Sequence, residues 1–143
     1  MKQIAIVGTG RMGTAFAKRL IEVKYTVTVW NRTLSRTTEA AEAGAMVADD
    51  LTSIAKADCI IVSLTDAAAV KAVTAELISV GISSRLVIDM STLLPEDTRT
   101  IGEMISAADA DFVDCPVGGT VGPALKGQLL GMAGGTDAAF ARA

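Results

Sequence analysis

Three glycines, Gly8, Gly10 and Gly13, stand in G-x-G-x-x-G spacing within "GTGRMG", directly after the apolar run "IAIVG" and at the start of a stretch of helical period. That context gives the pattern its chemistry. Gly8 permits a tight turn, Gly10 lets the backbone approach a pyrophosphate, and Gly13 lets a helix pack closely on the strand. The exposed N–H groups of the loop, which holds Thr9, Arg11 and Met12 between its glycines, would with the helix dipole then hold the phosphates. A dinucleotide-binding chain that takes NAD carries an Asp or Glu about 20 residues past such glycines, on the ribose 2′-hydroxyl. This chain has "NRT" there, after the run "TVTVW". Asn31 has no charge to repel a 2′-phosphate, Arg32 offers a guanidinium fork to bind one, and Thr33 follows it. NADP(H) is therefore the favoured cofactor, with NAD(H) the alternative. A solvated Arg32 with no ligand is the plain reading beside it.

Two later apolar runs end in "SLTD" (63 to 66) and "DMST" (89 to 92). Ligands of an open α/β sheet sit beyond the carboxyl ends of its strands, so Leu64, Thr65 and Thr92 are placed to line the nicotinamide half of a cleft. Ser and Thr at such positions also serve as helix caps. The glycine- and proline-rich stretch "DCPVGGTVGPALKG" (114 to 127) reads from composition either as a linker or as the lip of an active site. The chain has no histidine. That excludes a Ser-His or Cys-His nucleophile pair and any His-ligated metal within it, and no metal site is expected.

The elements that must position these residues follow a rhythm. Short β-rich runs alternate with helical stretches: "IAIVG", then 11 to 23; "TVTVW", then 33 to 43; "CIIVSL", then 66 to 79; "RLVIDM", then 95 to 107. This is the pattern of βαβ units, and strand runs that are almost continuously apolar belong to a parallel sheet covered on both faces. The expected fold is a doubly wound α/β domain over residues 1 to 143, mostly parallel, with helices on both faces. Met12, Phe16 and Leu20 form the core stripe of the first helix. Gly44 fits a C′ stop, and Pro95 with Glu96 and Asp97 fits a helical first turn. "DFVD" (111 to 114) and "QLLGMAGG" (128 to 135) read as two further strands, and Thr136 as the N-cap of a last helix.

Composition narrows the partner. With 13 basic and 16 acidic residues the net charge is −3, which gives no bulk basic field for nucleic acid and no cluster for anionic lipid. No apolar run approaches the roughly 18 residues of a membrane span. The short run after Lys2 resembles a signal peptide only faintly and is too short to be one. Cys59 and Cys115 are too few, and too differently placed, to form a disulfide framework, so a reducing cytoplasm is the expected location. A small solute is the expected partner.

Taken together, "GTGRMG", "VWNRT", "DMST" and "DCPVGGTVGPALKGQLLGMAGG" resemble the β-hydroxyacid dehydrogenase family. That family includes 3-hydroxyisobutyrate dehydrogenase, tartronate semialdehyde reductase and, more distantly, 6-phosphogluconate dehydrogenase. The resemblance covers the whole chain. It is most specific over 114 to 135, where Asp114, Pro116, Val117, Gly119, Ala124, Gly127, Leu129, Met132, Gly134 and Gly135 match the family's pattern without a gap. It implies a Rossmann-type nucleotide-binding half, and it turns the glycine-rich stretch into an active-site lip. Thr92, Gly118, Gly119 and Thr120 would then meet a small carboxylate substrate, with glycine N–H groups forming a backbone nest. Two departures bear on substrate. The family's serine is Gly118 here and its last glycine is Thr120, so the serine's hydrogen bond is absent or moves to Thr120. The family's general-acid/base lysine and much of its dimer contact belong to an all-helical second domain beyond this chain, and Lys126 does not replace that lysine. No catalytic residue is therefore assigned within these residues. The resemblance implies the cofactor-binding half of an NADP(H)-dependent oxidoreductase acting on a small β-hydroxy acid or its carbonyl form, homo-oligomeric and inactive without its second half. Imine reductases share the architecture and similar "VWNRT" and "SLTD" stretches. A non-catalytic NADP(H)-binding module is the reading from another class.

Overall fold

A computed structural model describes residues 3–143, so Lys2 lies outside the described residues. Along the chain the elements are β1 (Gln3–Val7), α1 (Arg11–Glu22), β2 (Thr26–Trp30), a 3-10 turn (Leu34–Thr37) running into α2 (Thr38–Glu42), β3 (Met46–Val47), α3 (Leu51–Ile54), β4 (Cys59–Val62) and α4 (Ala67–Val80). Then come β5 (Leu86–Asp89), α5 (Pro95–Ala107), β6 (Asp111–Asp114), β7 (Val117–Gly118), α6 (Val121–Lys126), β8 (Leu130–Gly131), β9 (Gly134–Gly135) and α7 (Asp137–Arg142).

Side chains alternate across each strand, and in this sheet both faces are apolar. Ala5, Val7, Ile60, Val62 and Val87 pack with Leu51, Val70, Leu77, Ile101 and Ile105 of α3, α4 and α5. Ile4, Ile6, Val27, Val29 and Ile61 pack on the other face with Phe16 of α1 and Ala124 of α6, and Met12 and Leu20 join them. Each fully buried Ile or Leu contributes about 1.5–3 kcal/mol by leaving water. The result is the expected doubly wound, Rossmann-type sheet, in the order β3-β2-β1-β4-β5-β6-β9 among the described residues. All its pairings are parallel except β6 with β9. The strand order reverses between β1 and β4, which opens a crevice at the carboxyl ends of those strands.

The caps agree with the sequence reading. Gly44 follows α2 at φ +106°, Pro95 opens α5 with Glu96 and Asp97 in its first turn, and the Thr136 hydroxyl accepts from Ala139 N–H at 3.2 Å. Two element assignments are corrected. The helix expected over 33 to 43 is a 3-10 turn followed by a five-residue helix, and Thr33 is extended. There the Thr37 and Thr38 hydroxyls donate to the Leu34 and Ser35 carbonyls, local bonds that compete with a regular helix. The single strand expected over 128 to 135 is two separate two-residue strands. β8 pairs with β7 and β9 with β6, because the chain changes partner at Met132, whose N–H donates to Pro116 O. The sequence reading also passed over β3, α3 and α6, elements of two to six residues. Among the described residues no helix is long and apolar enough to cross a membrane.

Candidate functional site

The glycines after β1 divide their work. Gly8 takes φ +98°, and a Cβ on it would collide with the Ser63 carbonyl oxygen. Gly13, in the first turn of α1, would collide with Gly8 O. A Cβ on Gly10 would meet nothing within 4 Å. Two glycines thus let the protein fit itself, while the third faces open space. Gly10 also heads α1 with no side-chain cap, and the first turn holds no acidic residue. Its N–H groups have no intrahelical acceptor, and the positive dipole end is uncompensated. Beside them Thr9 is 4% exposed, and its buried Oγ1 has no partner among the described residues. An orphaned hydroxyl next to an uncapped helix start, over a glycine with free space, fits an anionic ligand approaching the backbone.

The end of β2 braces this loop. Gly8 N–H donates to Trp30 O at 2.9 Å. The Asn31 side chain accepts from Thr9 N–H at 3.1 Å and donates to Thr33 O at 3.0 Å, so its amide is occupied in holding backbone. Arg32 and Thr33 are exposed. The Asp66 carboxyl, at the start of α4, is held below its ordinary value by the Ala69 N–H foremost, with the Thr65 hydroxyl and the Arg32 charge helping. A cavity of about 500 Å³ opens between the loop and the 3-10 turn, lined by Thr9, Gly10, Arg11, Thr14, Ser35 and Arg36 and also by Thr38, Glu39 and Glu42 of α2. Arg32 is not part of that lining. Arg36 is, and the sequence reading missed it; the signal was a second arginine one turn past the first, brought round by the 3-10 turn.

On the other side of the loop a cavity of about 310 Å³ gathers Met12, Leu64, Thr65, Thr92 and Gly119, all singled out from sequence, with Ser63, Met90, Ser91 and Val117. Gly118 and Thr120 are exposed and lie outside this lining, and the Thr120 side chain makes no cap bond to α6. Asp89 and Asp114 stand in register at the ends of β5 and β6. Burial pushes the Asp89 carboxyl up, against hydrogen bonds from Ser91. Asp114 is raised by burial and then by the Asp89 charge, and the Cys115 thiol by burial and then by Asp114. A larger hollow of about 560 Å³ opens at the opposite, amino ends of the strands, among Ile4, Tyr25, Cys59 and Leu86, and touches none of the loop residues.

A family model described as the NAD binding domain of 6-phosphogluconate dehydrogenase matches residues 3–143. The chain belongs to this family, the N-terminal nucleotide-binding domain of the β-hydroxyacid dehydrogenases. It is 35% identical over 142 residues to glyoxylate/succinic semialdehyde reductase 1 of Arabidopsis thaliana, covering 96% of this chain and 49% of that protein. Its fold superposes on 3-hydroxyisobutyrate dehydrogenase of Mycobacterium tuberculosis, solved with L-serine, at TM-score 0.95 and 26% identity, covering 99% of this chain and 49% of that one. An imine reductase from Pseudomonas sp. aligns at TM-score 0.80 and 26% identity over 85% of this chain and 43% of that one. The chain thus spans about half the length of these relatives. In this nucleotide-binding domain both cavities flank one glycine loop at the switch point of the sheet, where an open α/β sheet takes its ligand.

Proposed function

We propose that the chain is the cofactor-binding half of an NADP(H)-dependent oxidoreductase acting on a small β-hydroxy acid or its carbonyl form. The observation that carries the reading is the glycine loop: collisions at Gly8 and Gly13, free space at Gly10, and an uncapped helix behind it. A pyrophosphate over Gly10 would take the N–H groups of Arg11, Met12 and Gly13 and the Thr9 hydroxyl. The adenosine half would then lie toward Arg32 and the Arg36 cavity, where two guanidinium groups and Ser35 can meet a 2′-phosphate. The nicotinamide half would lie toward Thr92, Leu64, Thr65 and Met12. When bound, the cofactor supplies the hydride acceptor or donor at its nicotinamide.

The chain's own residues orient the reactants. Gly119 borders the second cavity, so the turn at 116 to 120 can offer backbone N–H groups to a substrate carboxylate. With Gly118 carrying no hydroxyl, Thr120 is the neighbouring residue able to supply one. Glyoxylate and succinic semialdehyde, named for the Arabidopsis relative, both combine a carboxylate with a carbonyl, which supports that substrate class. The proton of the alcohol would be handled by a lysine outside these residues, so the 143 residues should bind cofactor without turnover. Exposed Leu130 and Met132 beside the turn support association with further protein, in a homo-oligomer. A cytoplasmic location is part of the same proposal.

Imine reduction is the second reading, supported by the Pseudomonas reductase and by the absence of a serine at 118. Turnover of cyclic imines by the complete enzyme, with β-hydroxy acids inert, would favour it. The cofactor reading is tested by titrating the Trp30 fluorescence with NADPH and NADH, in the chain and in Arg32→Ala and Arg36→Ala. Charge-assisted bonds predict tighter NADPH binding, weakened about tenfold or more by each substitution, with NADH little changed. Equal affinity for both nucleotides would remove the arginines as selectors. No binding of either at millimolar concentration would overturn the reading.

A further inference from the structure

The glycine loop rests on two flanks, and the motif accounts for one of them. Toward β2, Asn31 takes the Thr9 N–H. Toward β4 the loop lies against Ser63 and Leu64: a Cβ on Gly8 would collide with Ser63 O and stand 2.8 Å from Leu64 Cδ2. Gly8 O in turn fills the space a Cβ on Gly13 would need. This stack, from residue 63 through Gly8 to α1, has no slack. A small movement of the 63–65 segment therefore passes directly to the helix start.

What fixes that segment is a pair of buried residues that neither the glycine motif nor the proposed reaction uses. Leu64 N–H donates to Ser91 Oγ at 3.0 Å, reaching from the end of β4 to the end of β5. Ser91 is 3% exposed, and its N–H donates to Asp89 Oδ1 at 2.9 Å. Asp89 is itself 1% exposed, and its Oδ2 has no partner among the described residues. Burying a carboxyl with one oxygen unmatched is costly. The serine hydroxyl accepts from Leu64, and the carboxyl holds the Ser91 backbone that carries it.

We propose that Asp89 and Ser91 are positioning residues for the phosphate-binding loop: Asp89 holds the Ser91 backbone, and the Ser91 hydroxyl sets the height of Ser63 and Leu64 against Gly8. The cofactor consequence rests on the reading of the loop as a dinucleotide site. The brace itself does not.

The test uses Ser91→Ala, Asp89→Asn and Asp89→Ala in the 143-residue chain, with NADPH titration and amide hydrogen exchange read by NMR at Leu64, Gly8 and Gly10. Ser91→Ala removes one hydrogen-bond acceptor and should raise the NADPH dissociation constant about tenfold while speeding exchange at Leu64. Asp89→Asn keeps the acceptor oxygen and should stay within about twofold of the parent, while Asp89→Ala should behave like Ser91→Ala. Rescue by asparagine separates positioning from bulk destabilisation. Unchanged affinity and unchanged Leu64 exchange in Ser91→Ala would overturn the proposal, as would an Asp89→Asn no better than Asp89→Ala. If Asp89→Ala does not fold, the other two variants decide. If the parent binds neither NADPH nor NADH, the dinucleotide reading fails, and exchange at Leu64 and Gly8 in Ser91→Ala still upholds or overturns the brace.

Discussion

The glycine loop after β1 and the glycine-rich turn after β6 border the same crevice but are built on opposite plans. Around the first, Gly8, Thr9 and Gly13 are buried, and β1 is paired along its length with β2 and over four residues with β4. Around the second, β7 and β8 contribute two residues each and pair only with one another, Val117 with Gly131 and Gly118 with Leu130. Leu130 and Met132 there are 70% and 57% exposed. One site is part of the core, so it is formed before any ligand arrives. The other is anchored through Val117, Val121, Ala124 and Leu129 but leaves its glycines and β8 in solvent, so it belongs to the less stable end of the structure.

That contrast is most open to breakage at the glycines themselves. Gly8→Ala and Gly13→Ala each place a methyl group against backbone carbonyl oxygen, and position 8 adds a positive φ. Each should cost about 3 kcal/mol or more, enough to leave much of the chain unfolded at ambient temperature. Gly10→Ala has room and an ordinary backbone, so urea unfolding should show a change within about 0.5 kcal/mol. On the proposed reading, NADPH binding should nonetheless fall sharply in Gly10→Ala, because the methyl group would stand where the phosphates are proposed to lie. Stability losses of equal size at all three positions would show that the loop has no ligand-facing glycine.

This division also explains what the sequence could disclose. β1, β4 and β5 were readable because both their faces are largely buried, and nearly continuous apolar runs record that directly, while β2 showed itself by the β-branched alternation of "TVTVW". The roles of Gly8, Gly10 and Gly13 were readable because the turn's geometry admits few alternatives. Arg36 was not, since its place depends on a 3-10 turn held by threonine hydroxyls, not on spacing from the motif. Nor was the division of 128 to 135 into β8 and β9, because glycine-rich strands carry no alternation that says which face or partner they take. The relay from Asp89 through Ser91 to Leu64 joins residues 27 apart and has no sequence signature at all.

Within the turn after β6 the same reasoning predicts a smaller contrast. Gly119 has φ +133°, and a Cβ on it would stand 2.6 Å from Leu129 Cδ2, so Gly119→Ser should cost about 1–3 kcal/mol. A Cβ on Gly118 comes no nearer than 3.9 Å to Leu130, and Gly118→Ser should leave thermal stability within about 0.5 kcal/mol of the parent. It would also restore the hydroxyl of the resembled family's pattern. If Gly118→Ser destabilises as much as Gly119→Ser, the turn is packed as tightly as the loop after β1 and the contrast between the two sites fails.

The smallest expected effect lies in the carboxyls, which also differ between the two sides. Asp66, near Arg32, is lowered by hydrogen bonds to its charged form; what stability it contributes is present above the ordinary carboxylate range and lost as pH falls through its native value. Asp89 and Asp114, near the turn after β6, are raised by burial. Between the ordinary value of about 4 and their raised native values, the folded chain binds more protons than the unfolded one. Stability must then fall as pH rises through that window and level off above it. Asp89→Asn keeps the oxygen that accepts from Ser91 but cannot ionise. Thermal melts from acid to neutral pH should show a shallower fall for this variant and a stability at pH 7 above the parent's, by an amount on the order of 1 kcal/mol. An unaltered slope would move the titration to Asp114, which has more solvent and less to gain from staying neutral. In either case the loss on raising pH belongs to the carboxyls at the ends of β5 and β6, and the loss on lowering pH belongs in part to the cap of α4.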